Sequence, residues 1–434
     1  MEQQNILILG SGGREHVFAW KLAQSESKPV LFCAPGNAGT AEVATNVSLA
    51  ILDFEAVGKF CIDHQIEVVI PCSEDPLVAG IVDHFADCEE LKNIFVFGPN
   101  QEASRLEGSK DYTKRFLMRH GIPTAQYKTF TPAQINDAKN YLSELKAPYV
   151  LKADGLAAGK GVVITKLRAE AEHVLDDMLL GHLFGSAGNQ VVIEEFLDGM
   201  EFSVFAVSDG STYTLLPEAK DYKRIGENDH GLNTGGMGAV SPVSFMDQDL
   251  MNKVKSTIIE PTFNGLQQDG IPFVGFLFFG LINVAGTPKV IEFNVRMGDP
   301  ETEVVFPRWE VDLAELINAC ALKQLLNIKS SVSAKNCVTV FTVSGGYPDA
   351  YEKNREIVLK DLPPDSIRFH AGTKKTGVHL LTNGGRVLAH TAFGDTLQEA
   401  ISNAYGAIKY TQFEGMYYRT DIGQDVLRLT QTQI

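Results

Sequence analysis

Basic charge is in short supply in this chain of 434 residues. Thirty-eight Lys and Arg stand against 54 Asp and Glu, for a formal net charge of -16. The sequence pI is about 5.1. Nucleic-acid backbones and anionic membrane surfaces are held by basic patches, so neither partner is expected. Any anionic substrate must instead meet a local positive site inside an acidic protein. Cysteine is scarce too: Cys33, Cys61, Cys72, Cys88, Cys320 and Cys337 are scattered, with no C-x-x-C pair. A disulfide scaffold and a structural zinc site are therefore not expected, and a reducing cytoplasm fits. The ten histidines show neither H-E-x-x-H nor H-x-H spacing. The longest apolar run, 273–284, falls well short of the roughly 20 residues that cross a bilayer. The first five residues carry no basic charge and the apolar stretch behind them is short, so a signal peptide is not expected.

What remains is globular. Hydrophobic residues make up 44% and charged residues 21% of the chain. That allows large cores and roughly two to four domains. β-type runs at 5–9, 30–33, 68–70 and 95–97 alternate with helical segments such as 14–23. This alternation predicts a parallel sheet covered on both faces. Residues 101–120 read as connecting helix. Further strands are expected at 149–153, 161–165, 190–194, 201–207, 274–284 and 289–294, with helices near 247–268 and 310–325. A last unit begins at the strand 337–343. There Asn383-Gly384-Gly385, between two β-type runs, predicts a hairpin.

Five motifs carry chemistry. Gly10-Ser11-Gly12-Gly13-Arg14 follows a strand and opens a helix, where free N–H groups can hold phosphate. A tight turn and part of a dinucleotide fingerprint are the competing readings, although Glu15 stands where the third fingerprint glycine belongs. The Gly/Ala-rich segment 152–161 has Lys152 and Lys160 near its ends and lacks P-loop spacing; it suits a loop folding over a triphosphate. The apolar strand 191–194 runs into Glu195-Phe196-Leu197, and such a linker can offer its backbone to adenine, with Glu201 near the ribose. In 291–296, alternation predicts Glu292, Asn294 and Arg296 on one face and Ile291, Phe293 and Val295 on the other. A Glu and Asn oxygen pair suits Mg2+, which takes few protein ligands and fills its shell with phosphate and water. Arg296 could clamp a phosphoryl group or a carboxylate. Lastly, the charged run 220–224 precedes the glycine-rich loop 233–239 and could shape a small polar pocket.

In this order the motifs resemble the ATP-grasp ligases, and more closely the phosphoribosylamine–glycine ligase family. The matching segments are GSGGREH at 10–16, PGNAGTA at 35–41, RLEGSK at 105–110, KADGLAAGKGV at 152–162, NTGGMGA at 233–239 and EFNVRMGDPET at 292–302. SGGYP at 344–348, HAGT at 370–373 and FEGMYYRTDIG at 413–423 extend the match over nearly the whole chain. The resemblance implies a multidomain α/β and α+β fold. An N-terminal parallel-sheet, Rossmann-like (pre-ATP-grasp) domain is expected over 1–105 and a linker helix over 106–121. A two-part ATP-grasp domain follows, with a lid over 122–193 and a catalytic part over 194–328. A small C-terminal α+β domain takes 329–434.

The resemblance also implies an ADP-forming ligation of glycine to 5-phosphoribosylamine through a glycyl phosphate. Lys110 and Lys152 would contact ATP phosphates, with Gly159 and Lys160 in the closing loop. Glu194, Glu195, Phe196, Leu197 and Glu201 would surround adenosine. Glu292 and Asn294 would hold Mg2+ or Mn2+, while Arg296, Asp221 and Lys152 would serve the chemistry. Gly12, Gly13, Arg14, Asn37 and Glu74 would hold the phosphoribosyl group. A cytoplasmic monomer is expected, with transient contact to the enzyme supplying the unstable amine. The chain departs from the family at Lys220 and Tyr222, where Gln and His are usual, at Cys72-Ser73, where Gly-Pro is usual, and at Met297, where Phe is usual. The strand before the Glu-Asn pair, 276–281, has no carboxylate, which leaves Glu292 and Asn294 as the implied metal ligands.

Overall fold

The computed structural model describes residues 3–156, 161–181 and 189–432. Strands Asn5–Gly10, Val30–Pro35, Val68–Pro71 and Phe95–Val96, with the short edge strand Thr45–Asn46, form one parallel sheet. The central strand Asn5–Gly10 shows why. Ile6 and Ile8 enter one hydrophobic core and Leu7 and Leu9 another, so both faces are buried. Burying an aliphatic side chain is worth about 1.5–3 kcal/mol, against about 0–1 for a surface ion pair. Four such side chains on one strand therefore outweigh any exposed charge pair nearby.

Both cores run on into the rest of the chain. The first takes in Phe276, Phe306, Trp309, Val338 and Phe341; the second takes in Phe116, Phe279 and Phe293. A smaller unit has a core of its own. Its antiparallel strands Tyr127–Phe130, Val191–Glu194, Tyr149–Ala153 and Val162–Thr165 pack under helices Ile135–Glu144 and Arg168–Leu179. Leu142, Leu151, Leu175, Met178 and Ile193 fill it. A second antiparallel sheet is built from Tyr213–Leu215, Met200–Asp209, Val274–Val284 and Thr287–Asn294. Among the described residues no helix is long and apolar enough to cross a membrane.

Three expectations change. A boundary at 328/329 follows the sequence, but the last sheet does not respect it. Lys220–Asp221 and Gly238–Ser241 pair into the sheet of Asn336–Val343, Arg386–Gly394 and Ser366–His370, with Gly238 opposite Val340 and Ser241 opposite Cys337. The helix expected over 247–268 is interrupted by a π-turn at Lys255–Ile259. Pro261, with no N–H to give the preceding turn, lies two residues beyond its end. Asn383-Gly384-Gly385 does not close a hairpin. The strands flanking it lie in different sheets: His379–Thr382 pairs with Thr373–Thr376, and Arg386–Gly394 with Asn336–Val343. The glycines serve a backbone crossing instead. Asn383 N–H donates to the Gly372 carbonyl (2.7 Å), and Gly372 N–H donates to that of Arg386 (2.9 Å).

A Cβ on Gly372 would fall 2.5 Å from the Gly384 Cα and 2.6 Å from the Arg386 carbonyl oxygen. Both are main-chain atoms that cannot swing aside. Gly372→Ala is therefore expected to destabilise the chain by about 1–3 kcal/mol. Thermal unfolding should show a midpoint lower by several degrees. An unchanged midpoint would mean that the two segments separate without penalty.

Candidate active site

A cleft of about 750 Å³ is lined by every unit of the fold. Helices beside the N-terminal sheet supply Arg14 and Glu74, and the small antiparallel unit Lys152 and Glu194. The second sheet supplies Glu292 and Asn294, and the last sheet Asp221 and Arg386.

Positive charge enters on two elements. Helix Lys110–Arg119 begins at Ser109, whose hydroxyl accepts from Tyr112 N–H (3.1 Å). The helix presents Lys110 and, one turn on, Lys114. Lys152 comes from the end of the buried strand Tyr149–Ala153. Between the lysines sits Glu194, buried, with one oxygen 3.0 Å from Lys152 Nζ and the other 3.2 Å from Lys114 Nζ. Burial pushes the Lys114 ammonium down to about 8, against the pull of Glu194. Burial lowers Lys110 as well, with Glu292 opposing. Lys110 Nζ donates to the Gly155 carbonyl (3.0 Å), and the Asp154 carboxylate accepts from Ser109 Oγ (3.1 Å) and Asp111 N–H (3.2 Å). The start of the loop is thus fastened to the lysine helix. Gly159 and Lys160 lie outside the described residues.

The linker after Glu194 forms the next stretch of wall, with Phe196 partly exposed and Leu197 beside it. Glu195 faces sideways, accepting from Gln126 N–H (3.0 Å) and pairing with Lys289 (3.4 Å). Glu201 stands 3.8 Å from Lys223.

On Thr287–Asn294 the expected alternation is broken by a β-bulge. Gly280 pairs with Glu292 but Leu281 pairs with Val290, so Ile291 is the extra residue. Phe293 and Val295 reach the core as expected, whereas Ile291 turns onto the cleft wall beside Glu292. Bulges re-aim side chains in this way. Burial raises the Glu292 carboxyl, but Lys223, Lys152, Lys110 and Arg296 outweigh it and leave its pKa lowered. The Asn294 amide nitrogen is buried without a hydrogen-bond partner. That nitrogen is a donor and cannot ligate a cation. The Glu292 carboxylate and the Asn294 amide oxygen, two residues apart, are the donor types that suit a hard divalent cation taking its other ligands from phosphate and water. Among the described residues no group of three or more His, Cys, Asp or Glu could hold a metal.

Arg296 is held by two carboxylates. Nε donates to Glu74 (3.1 Å), Nη2 to Glu107 (2.6 Å) and Nη1 to the Met297 carbonyl (3.2 Å). Asp221 lies near Lys223 and Glu301. Burial, with Asp221 adding to it, pushes Glu301 up to about 8.

The first glycine loop is arranged differently from the expectation. Gly12 N–H donates to the carboxylate of Glu15, the residue standing in place of a third fingerprint glycine. That position of the helix N-terminus is taken by the chain's own carboxylate. Gly10, at φ +138°, makes room for the Glu15 side chain, since a Cβ there would meet it at 2.5 Å. Arg14 reaches the cleft and donates to the Met297 carbonyl (3.0 Å). Gly12 and Gly13 lie behind it, outside the cleft lining, and so does Asn37. The Asn37 amide nitrogen donates to the carbonyls of Ser11, Gly12 and His370, and its oxygen accepts from Gly39 and Thr40 N–H. Its polar atoms are spent on shaping the loop and joining it to the last unit.

Sequence reading missed several cleft residues. Lys114 could have been found from its spacing of four from Lys110, and Glu107 lies inside the RLEGSK segment. Arg386 gave no local signal. It bridges the Gly235 and Asp299 carbonyls (2.6 and 2.7 Å) and the Asp299 carboxylate (2.9 Å).

Comparison with known proteins agrees along the chain. Family models described as the N domain, the ATP-grasp (A) domain and the C domain of phosphoribosylglycinamide synthetase match residues 4–107, 108–302 and 337–425. The phosphoribosylamine–glycine ligase of Vibrio vulnificus strain YJ016 is 46% identical, over 96% of this chain and 97% of that protein. A bifunctional purine biosynthetic protein of Pichia angusta is 44% identical, and this chain spans 54% of its length. The crystal structure of phosphoribosylamine–glycine ligase from Thermotoga maritima superposes with a TM-score of 0.80 at 36% identity, covering 96% of this chain and 99% of that one. The biotin carboxylase domain of a Hydrogenobacter thermophilus 2-oxoglutarate carboxylase, solved with ADP, magnesium and bicarbonate, shares the fold. Its TM-score is 0.72 at 15% identity, over 96% of this chain and 92% of that one.

Glu194 and Glu195 are neighbours with opposite expectations. Glu194→Gln leaves two buried lysines without their counter-charge and should destabilise the chain by about 3–5 kcal/mol. Glu195→Gln removes one part-exposed pair and should change stability by less than about 1 kcal/mol. Chemical denaturation of the two variants, side by side, measures the difference. Equal midpoints would refute the shared-charge arrangement.

Proposed function

The chain belongs to the phosphoribosylglycinamide synthetase family of ATP-grasp ligases, and on that premise we propose that it joins glycine to 5-phosphoribosylamine with ATP, giving glycinamide ribonucleotide, ADP and phosphate in purine biosynthesis. The observation that carries this reading is the meeting of Lys110, Lys152, Glu292, Asn294 and Arg296 in one cleft. In a chain of net charge -16, such a cluster answers the need for a local anion site.

The chemistry explains the demand. A carboxylate is a poor acyl donor near neutral pH. Transfer of the γ-phosphoryl of ATP to a glycine carboxylate oxygen gives glycyl phosphate and ADP. The amine of phosphoribosylamine then attacks the carbonyl, the C–O bond to phosphate breaks, and the amine gives up a proton. Phosphoryl transfer needs positioning and neutralised charge more than a protein base. Lys110 and Lys152 supply that charge at the phosphates. Glu194 to Leu197, with Glu201, flank adenosine. Glu292 and Asn294 would hold Mg2+ or Mn2+, which supplies further charge neutralisation when bound. Arg296 meets the transferring phosphoryl or the glycine carboxylate, with Asp221 on the acceptor side. Arg14 and Glu74, backed by the loop of Gly12, Gly13 and Asn37, face the phosphoribosyl group. Closure of the small antiparallel unit would keep water from the acyl phosphate. The short life of the amine in water favours its direct receipt from the enzyme that makes it.

ADP release should require glycine and freshly made phosphoribosylamine together, and should stop on chelation of divalent metal. Glu292→Ala should slow it by roughly 100-fold or more, given that even outer-shell metal partners are worth about 10–100-fold. ADP release that ignores glycine, from protein that binds ATP, would remove the substrate assignment and leave the fold.

A further inference from the structure

The RLEGSK segment sends Lys110 into the cleft and carries one further buried acidic side chain, Glu107, for which the proposed reaction has no use. Burial pushes its carboxyl up to about 7, against the pull of Arg296. Its helix, Gln101–Gly108, starts at Asn100, whose side chain accepts from Ala103 N–H (2.9 Å), so the backbone that presents Glu107 is anchored. Both Glu107 oxygens are engaged, each by a different part of one short segment. Oε1 accepts from Arg296 Nη2 (2.6 Å), and Oε2 accepts from Val295 N–H (2.8 Å). Val295 lies between the proposed metal ligand Asn294 and Arg296. One carboxylate thus grips the main chain of one residue and the side chain of the next.

We propose that Glu107 is the positioning residue for Arg296, orienting the free edge of its guanidinium toward the reacting anion. The inference rests on the role given to Arg296 under Proposed function. A guanidinium has five N–H groups, and three are spent on Glu74, Glu107 and the Met297 carbonyl. One N–H remains on each terminal nitrogen. That pair matches the two oxygens of a carboxylate or a phosphoryl group. Which edge stays free depends on which nitrogens are held, and Glu107 makes the shortest of the three contacts. It is also the better shielded carboxylate: its side chain is 7% exposed, against 24% for Glu74. Glutamine cannot take its place. Both partners are donors, and an amide offers one acceptor and one donor, so an N–H would face an N–H. Aspartate keeps the charge but is one methylene short of reaching both.

A merely structural ion pair would change the unfolding temperature and leave turnover of the folded protein alone. The test compares Glu107→Gln, Glu107→Asp, Arg296→Lys and the Glu107→Gln/Arg296→Lys double variant in the full chain. The readouts are kcat with saturating substrates, thermal midpoint and ATP binding by calorimetry. Glu107→Gln is expected to lower kcat by about 10–100-fold, the range of orienting partners. Its ATP Kd should stay within about twofold, and Glu107→Asp should fall between it and the parent. Because Glu107 acts through Arg296, the double variant should be no more than about twofold slower than Arg296→Lys alone. A kcat for Glu107→Gln within twofold of the parent overturns the proposal, as do losses that multiply in the double variant. Should Glu107→Gln fail to fold, a kcat for Glu107→Asp within twofold of the parent overturns it equally. Full turnover by Arg296→Lys overturns the role of Arg296 and this inference with it. An impaired Arg296→Lys beside an unimpaired Glu107→Gln overturns this inference alone.

Discussion

Lys114 and Lys152 share one buried carboxylate, Glu194, and the cleft is arranged around that shared charge. Gathering cations in a low-dielectric place is unfavourable before any anion arrives, because burial penalises each charge and the charges repel one another. Glu194 offsets both effects from the end of a strand whose other residues are buried and apolar. The same solution recurs across the cleft, where Glu74 and Glu107 flank Arg296 and Lys223 stands 3.6 Å from Glu292. An acidic protein can therefore gather cations in one cleft without a basic surface. The compensating carboxylates sit beneath and beside the cations, leaving part of their hydrogen-bonding capacity for a ligand.

Much of the frame was legible in the sequence, for local reasons. The parallel sheet follows from apolar runs alternating with helices, and Ile6 to Leu9 are buried on both sides as such runs require. The glycine-rich segments and the Glu-x-Asn-x-Arg pattern mark close backbone approach and a polar strand face. Where reading failed, the cause was distant in sequence. No local pattern tells that Glu194 answers Lys114 and Lys152, or that Glu107 grips a strand end nearly two hundred residues away. The bulge at Ile291 depends on the partner strand. Asn37 looked like a ligand-facing residue in a glycine-rich loop, yet its five hydrogen bonds all return to the protein.

Asn383-Gly384-Gly385 teaches the same distinction. An Asn-Gly pair between β-type runs fits a hairpin by composition. Here the small residues let two segments of backbone cross, and the strands on either side serve different sheets. Glycine reports only that something passes close by. What passes is decided by the topology.

The two strands Lys220–Asp221 and Gly238–Ser241 have left the sheet that precedes them and joined the last one. The last unit is consequently no detachable module that could be trimmed or exchanged at residue 329. A chimera between two relatives, cut there, would marry one parent's Gly238–Ser241 to the other's Asn336–Val343, and any mismatch would fall on the wall that carries Asp221. The natural crossover points lie around the 220–241 excursion, which has to travel with the C-terminal hundred residues as a single inherited block.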